Sequence, residues 1–499
     1  MQNAESRKQK RNSEAFHCQL PTANCQLPRQ RGVTIMMVVA FMGIFLLIMG
    51  TIMSYAFSQS KYGRALYDRE QALNIAEAGL EYYRWFLAHN PNDLTNGTGQ
   101  PGPYTYTVED PEGGEVGSAS LSIVGNTSCG VIQSIDITSV GKSNLDPGFP
   151  RTLFARYMRP SVATYSYLLN SNVWAGPDRN ITGRYHSNGG IRMDGTNNSN
   201  VSSAVSTWSC TSSFGCSPTQ TKNGVWGGGS GFALWNYPAA SVDFNGIATS
   251  LASLKMYAQT GGGLYFASST GAVNSRGYHL VLKSDGTMDV YRVTGTTGVY
   301  GSENGSSFVM EYNIIANQTL LGNYTIPSAC SLIFVDDRVW IEGVVKNKVT
   351  VVAATPQDSG TAPDVLIPAN ITYATNDGSA GLTVMAERNI LIPLNSPDVM
   401  EIHGIFSAHS GYYGRNYYTT SGTYDVPSSY NSYVMQTQLT TAGTIVSSGR
   451  TGTKWTCGGT FCSGYGTRID SYDQLQATNP PPFTPASSPD YGFVLWREQ

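Results

Sequence analysis

The sequence predicts an α+β chain: a long N-terminal membrane-spanning helix, a small antiparallel sheet, and then a large β-rich domain. Three observations predict it. Residues Val33 to Phe57 form a run of 25 without a charge, enough for about 37 Å of helix against a hydrocarbon layer of about 30 Å. Beyond that run, Tyr62, Leu66, Leu73, Ala76, Leu80, Tyr83 and Leu87 recur at steps of three, four or seven, which is the period of an amphipathic helix. The remainder is only sparsely charged and rich in Gly, Ser, Thr, Asn and Tyr, a composition suited to extracellular β structure rather than to long helices.

The helix comes first. Lys61, Arg64, Asp68, Asn74, Glu81 and Arg84 take the face opposite the apolar stripe, and no proline interrupts Val33 to Ala88. One rod of about 84 Å is therefore expected, ending where Pro91 disfavours helix at Asn90. An ordinary export signal has a shorter apolar centre close to the N-terminus. Here Arg7, Lys8, Lys10, Arg11, Arg29 and Arg31 precede the span against Glu5 and Glu14. That balance keeps the leading segment in the cytoplasm and places the chain beyond Phe57 outside. Removing those 32 residues takes the formal net charge from −3 to −7, which is no nucleic-acid footprint.

Strands come next. "YTYTVED", "SASLSIVG", "IQSIDITSVGKS" and "TLFARYM", between Tyr104 and Met158, alternate apolar with polar and break at Gly, Pro and Asp, the signature of an antiparallel sheet. From Ser166 to about Ile445 short apolar pieces alternate with polar turns. Val339, Ile341 and Gly343 interleave with Trp340 and Glu342, and Val349 and Val351 keep the rhythm. Such units stack into a right-handed parallel β-helix or fold into an irregular β-sandwich. The Gly-, Ser- and Tyr-rich stretch 221–325 reads as an insertion or side domain. The tail carries a proline run and a last segment, "YGFVLWREQ", able to return to the body as a strand.

Cys18 and Cys25 fall in the leading segment. The other six cysteines suit an oxidising compartment. Cys210 with Cys216 and Cys457 with Cys462 are close enough to staple single loops, leaving Cys129 and Cys330 as a long-range pair. Zinc is the rival reading, but no histidine accompanies either short pair and neither has two-residue spacing.

The stretches "RG", "VTIMMVVAFMGIFLLIMG" and "DREQALNIAEAGLEYYRWF" together resemble a type IV prepilin, and the last is similar to minor pilins of the PilX type. The resemblance covers roughly residues 29 to 88. It implies a prepilin peptidase that cuts between Gly32 and Val33 and methylates the Val33 amine. It also implies a pilin-like sheet packed on the helix, and partnership with other pilin subunits and an inner-membrane assembly platform. The chain would pass from the inner membrane, with its C-terminus outside, into an extracellular filament. Most major pilins have a glutamate five residues into the mature chain, paired with a neighbour's amine; here that place is Met37. An unpaired buried charge is expensive, so a missing carboxylate removes one way to dock beneath a subunit already in place. The pseudopilin of related secretion systems that lacks this glutamate resembles a filament cap, so the resemblance implies a minor pilin or pseudopilin that is tip-proximal or assembly-initiating. The plain alternative is that Met37 packs against lipid or neighbouring helices. The organisation expected is a leader over 1–32, the helix over 33–90, the pilin-like β region over 91–165, the head over 166–445 and the tail over 446–499.

No catalytic constellation emerges, so neither enzyme activity nor a cofactor is expected. Glu401, His403, Ser407 and His409 share one face of a strand, without a third metal ligand. Asp336 and Asp337 point to opposite faces, which spoils them as a paired acid and base. "SDGTMD" and "TNDGSAG" read as turns rather than calcium loops. Function is then expected on exposed aromatic surface, at Tyr412, Tyr413, Tyr417, Tyr418, Tyr424 and Tyr430, with Trp226, Trp235 and Tyr237 elsewhere. Such rings suit a carbohydrate or surface ligand. The two alternatives to a filament subunit are thus a tip adhesin and a membrane-tethered polysaccharide-active enzyme.

Overall fold

The computed structural model describes residues 33–247, 251–356 and 362–499. Gly32, Cys18 and Cys25 lie outside them. The chain divides into two compact units at Tyr67/Asp68.

Helix α1 runs Val33–His89. Its buried residues are Asp68, Ala72, Ile75, Ala76, Gly79, Leu80, Tyr83, Phe86 and Leu87. The apolar stripe read from the sequence is thus buried only in part: Tyr62 and Leu66 are exposed, and Asp68, expected on the polar face, is buried. Periodicity marks a helix face but does not say where its cover begins.

The cover is an antiparallel sheet of β1 (Tyr104–Glu109), β2 (Glu115–Ser128), β3 (Val131–Ser143) and β4 (Arg151–Met158), to which the C-terminal strand Gly492–Glu498 adds at the β4 edge. Leu121, Ile137, Leu153 and Ala155 meet Ala76, Leu80, Tyr83 and Leu87 in one core. The small residues of "QALNIAEAGL" explain how closely helix and sheet approach. A Cβ on Gly141 of β3 would lie 2.1 Å from the Ala72 carbonyl oxygen, and one on Gly79 would lie 2.7 Å from Ala119 Cβ. Neither position has room for a side chain.

The head is a stack of parallel strands, as expected for a β-helix and unlike a sandwich. Along one face Leu264, Ile333, Val351, Val384, Phe406 and Ile445 pair in register on successive rungs. A second face aligns Tyr278, Val339, Val365, Ile390 and Tyr413. A third aligns Gly343, Ile371, Ile402, Thr441 and Asp470. Their inward side chains form one continuous core, each large aliphatic contributing about 1.5–3 kcal/mol relative to exposure.

Stack order departs from chain order. The first-face row continues from Ile445 onto Tyr167, then Tyr185, Val201 and Trp235, so the earliest rungs sit on the latest ones. Ionic and phenolic contacts join this seam. Tyr167 Oη donates to Asp470 at 2.7 Å, Arg179 pairs with Asp470 at 2.6 Å, and Asp178 takes Arg468 at 2.7 Å and Lys454 at 2.9 Å. Partial burial works against the Asp178 charge, yet those two cations bring its carboxyl down to about 2.

After Trp235 the chain must travel back to the other end of the stack, and it does so over the outer side of the first face. Val242 and Phe244 pack on Leu168, Ile405 and Val446; helix Leu251–Thr260 then covers Leu332, Phe334 and Val352. Both sides of these strands are therefore apolar. Residues 221–325 are accordingly not one insertion. Val225, Trp235, Leu264 and Tyr278 are rung residues, and the excursion proper is the long hairpin of Thr287–Ser302 with Phe308–Thr325. The solenoid likewise runs past Ile445 to strand Thr460–Ser471.

The tail then leads from head to sheet. Phe483 N donates to Gln133 of β3 at 2.8 Å, and Ser487 N to the Pro160 carbonyl at 2.7 Å. Disulfides join Cys129–Cys330, Cys210–Cys216 and Cys457–Cys462. The first ties the β2–β3 turn to the solenoid; the other two close single loops.

Candidate functional site

Two surfaces stand out among the described residues. The first is the start of α1. It is the helix, among the described residues, long and apolar enough to cross a membrane. Every residue from Val33 to Phe57 is exposed, with Phe41 at 69% and Leu47 at 72%. An apolar surface of that extent is stable against lipid or other apolar helices and not against water. Val33 and Met37 lie on it, 60% and 59% exposed.

The tyrosine surface expected in the head is corrected by the structure. Tyr412, Tyr413 and Tyr418 are buried and Tyr417 and Tyr430 half-buried, while Tyr424 is exposed as expected. Tyr413 is a rung residue of the inner core, and Tyr412 packs with Val293, Trp340, Leu366 and Leu391 beneath the base of the long hairpin. Tyr418 Oη donates to Glu311 Oε2 at 2.9 Å, with Asn313 and Asn416 donating to the same carboxylate. Burial pushes Glu311 up to about 6 in spite of those bonds. Beside it Arg415, fully buried, gives its guanidinium to the carbonyls of Pro393, Leu394 and Tyr433. These groups hold loops in place. Glycine and serine neighbours make the tyrosines resemble a surface loop, whereas packing on the inner core and beneath the hairpin buries them.

The polar candidates are dispersed. His403 pairs with Glu401 at 2.6 Å, but Ser407 and His409 do not join them. Asp336 takes Lys255 and Tyr265, while Asp337 takes Ser269. Asp285 and Asp377 close turns by accepting from the Thr287 and Ser379 amides. Among the described residues no group of three His, Cys, Asp or Glu could hold a metal ion.

No family model and no curated protein sequence matches the chain. Among solved structures it is similar to the crystal structure of the competence-associated pilin ComZ from Thermus thermophilus. The identity is 13% and the TM-score 0.28, over 87% of this chain and 97% of that one. A TM-score that low carries no argument for fold or role.

The second surface is the end of the solenoid. An open groove of about 620 Å³ there is lined by Thr221, Lys222, Asn223, Trp226, Phe232, Trp235 and Tyr237 among others. Phe232 is 71% exposed, and Trp226, Trp235 and Tyr237 are half-buried. The sequence marks the last three as aromatic and holds no sign that one groove collects them. That depends on Trp235 being the final rung of a stack whose order differs from the chain's.

Proposed function

We propose that the chain is a filament subunit of the type IV pilin kind, cut between Gly32 and Val33 by a prepilin peptidase and methylated at Val33. One observation supports this most: an apolar helix, Val33–Phe57, that the protein's own fold leaves bare and that continues into the segment bearing a sheet. In the membrane that segment spans the bilayer, with the basic leader in the cytoplasm and the solenoid outside. In the filament its lipid contacts are exchanged for the helices of other subunits, since lipid and apolar side chains solvate it about equally. Met37 supplies no carboxylate to a neighbour's amine, which suits a PilX-like minor subunit at or near the tip, where assembly begins. The head is a display domain rather than an enzyme.

Mass spectrometry of the cellular protein tests this. The expected first residue is methylated Val33, in protein that sediments with sheared filaments; a chain still beginning at Met1 overturns the reading. Gold-labelled antibody to the head is expected at filament ends, and uniform labelling along the shaft would remove the tip assignment.

A further inference from the structure

The end of the solenoid is a place where the stack stops without being finished. In the first-face row Tyr167, Tyr185, Val201 and Trp235 pair in order, and among the described residues no strand pairs on the far side of Trp235–Asn236. Repeat stacks need a cover on the last unit, because each rung otherwise shows the next one its apolar interior. Here Trp235 lines the groove instead, with exposed Phe232. Its indole N–H donates to Asn197 Oδ1 at 3.3 Å, which fixes the plane of the ring.

The polar side of the groove is also held in place. Lys222 and Asn223 belong to strand Gln220–Asn223, which pairs with Thr207–Cys210 in a hairpin stapled by Cys210–Cys216. Trp208 Nε1 donates to the Asn223 carbonyl at 3.0 Å, and Asn223 Nδ2 donates to Tyr237 Oη at 3.1 Å. Two cations approach Trp226: Lys222 Nζ at 4.5 Å from the ring centre and the Arg192 guanidinium at 5.1 Å. Arg192 is neutralised by Asp194 at 2.7 Å. Lys222 has no carboxylate partner among the described residues, so the groove holds one uncompensated positive charge on a chain that is otherwise acidic.

We propose that this groove binds an acidic saccharide. A sugar ring presents C–H groups on its faces and hydroxyls around its rim. The first match the electron-rich face of an aromatic ring and the second match amide and phenol groups. Trp235 takes a ring in the place of the missing rung, Asn223 and Tyr237 meet the hydroxyls, and the Lys222 ammonium meets a carboxylate. The volume lies within the range of small-ligand sites, about 300–1,000 Å³. The proposal rests on the filament reading only for bringing the head outside the cell; binding itself is a property of the isolated chain.

The test is calorimetric titration of the full chain, held in a sugar-free detergent, with oligogalacturonate as the acidic probe and a cello-oligosaccharide as the neutral one. Oligogalacturonate is expected to bind more tightly. Lys222→Gln should weaken the acidic probe alone by about threefold, and Trp235→Ala should weaken both by about tenfold. Lys222 is half-buried and lies outside the core of the stack, so its substitution keeps the test meaningful should Trp235→Ala disturb the last rung. Absence of binding, equal binding of the two probes, or indifference to Lys222→Gln overturns the proposal. So does end-to-end self-association lost in Trp235→Ala without any saccharide binding, which would assign the groove to a second copy. None of these outcomes depends on whether the chain enters a filament.

Discussion

The two parts of helix α1 both present apolar side chains and treat them in opposite ways. From Asp68 onward the buried face includes Ala72, Ala76 and Gly79, whose small size lets a sheet sit against the backbone, and the glycine of the sheet at Gly141 matches them. From Val33 to Phe57 large side chains such as Met36, Phe41, Phe45 and Leu47 dominate, nothing among the described residues covers them, and every residue of the run is exposed. The difference teaches that apolarity alone does not mean core. A helix that serves its own fold carries small residues where its partner approaches, and one that serves an outside apolar environment need not.

The contrast can be broken most severely where head and sheet are joined. Replacing Cys129 and Cys330 with serine opens a closure of 201 residues, worth about 5 kcal/mol in the chain-entropy account. Replacing Cys457 and Cys462, separated by 5 residues, should cost about 2 kcal/mol. Denaturant midpoints of the full chain in micelles would rank them, and equal losses would discredit loop length as the source. Next in size is Gly141→Val, which places a side chain where the Ala72 carbonyl lies. A loss of about 3 kcal/mol is expected, whereas Leu47→Ala in the bare part should leave the same midpoint unchanged.

A smaller effect comes from Glu311. Its native carboxyl titrates at about 6, above the ordinary 4.5, so the folded head binds that proton more readily than the unfolded chain does. Stability from this group is fully present below pH 4.5 and is lost as pH rises through about 6, an increment of about 2 kcal/mol. Asp178, held low, acts in the opposite sense and only below its ordinary 3.8, so the windows are separate. Glu311→Gln should flatten the thermal midpoint between pH 4.5 and 6.5 or so; a persisting slope would point to another group. The smallest effect on stability, none measurable, is expected of Met37→Glu. What should change is location: with a carboxylate restored, antibody labelling is expected to spread from filament ends into the shaft.

Much of this fold is legible in the sequence, and the rest is hidden for identifiable reasons. The uncharged run and the strands between Tyr104 and Met158 announce themselves because their periodicity is local. So does the alternation at Val339 and Ile341, both in the inner core. What alternation cannot disclose is which strand lies beside which. Nothing in the order of residues says that Tyr167 rests on Ile445, or that Trp235 is the last of its row. Trp340 alternates out of the core yet is buried, because the hairpin and Tyr412 cover it, and the burial of Tyr412 is hidden for the same reason. The groove at Trp226, Trp235 and Tyr237 inherits that difficulty, since its residues become neighbours only once the rungs are stacked.

The return of the last strand, Gly492–Glu498, to the edge of β4 has a mechanical meaning. The chain leaves the sheet for the solenoid just past Met158 and comes back to pair with the strand it left, while Cys129–Cys330 supplies a third fastening. A tug on the outer domain is thus divided among tethers acting in parallel, two of them covalent. The hydrogen bonds of a ladder loaded along its length must be sheared together rather than peeled one by one. A fibre that hauls on whatever its far end has caught would put that geometry under tension.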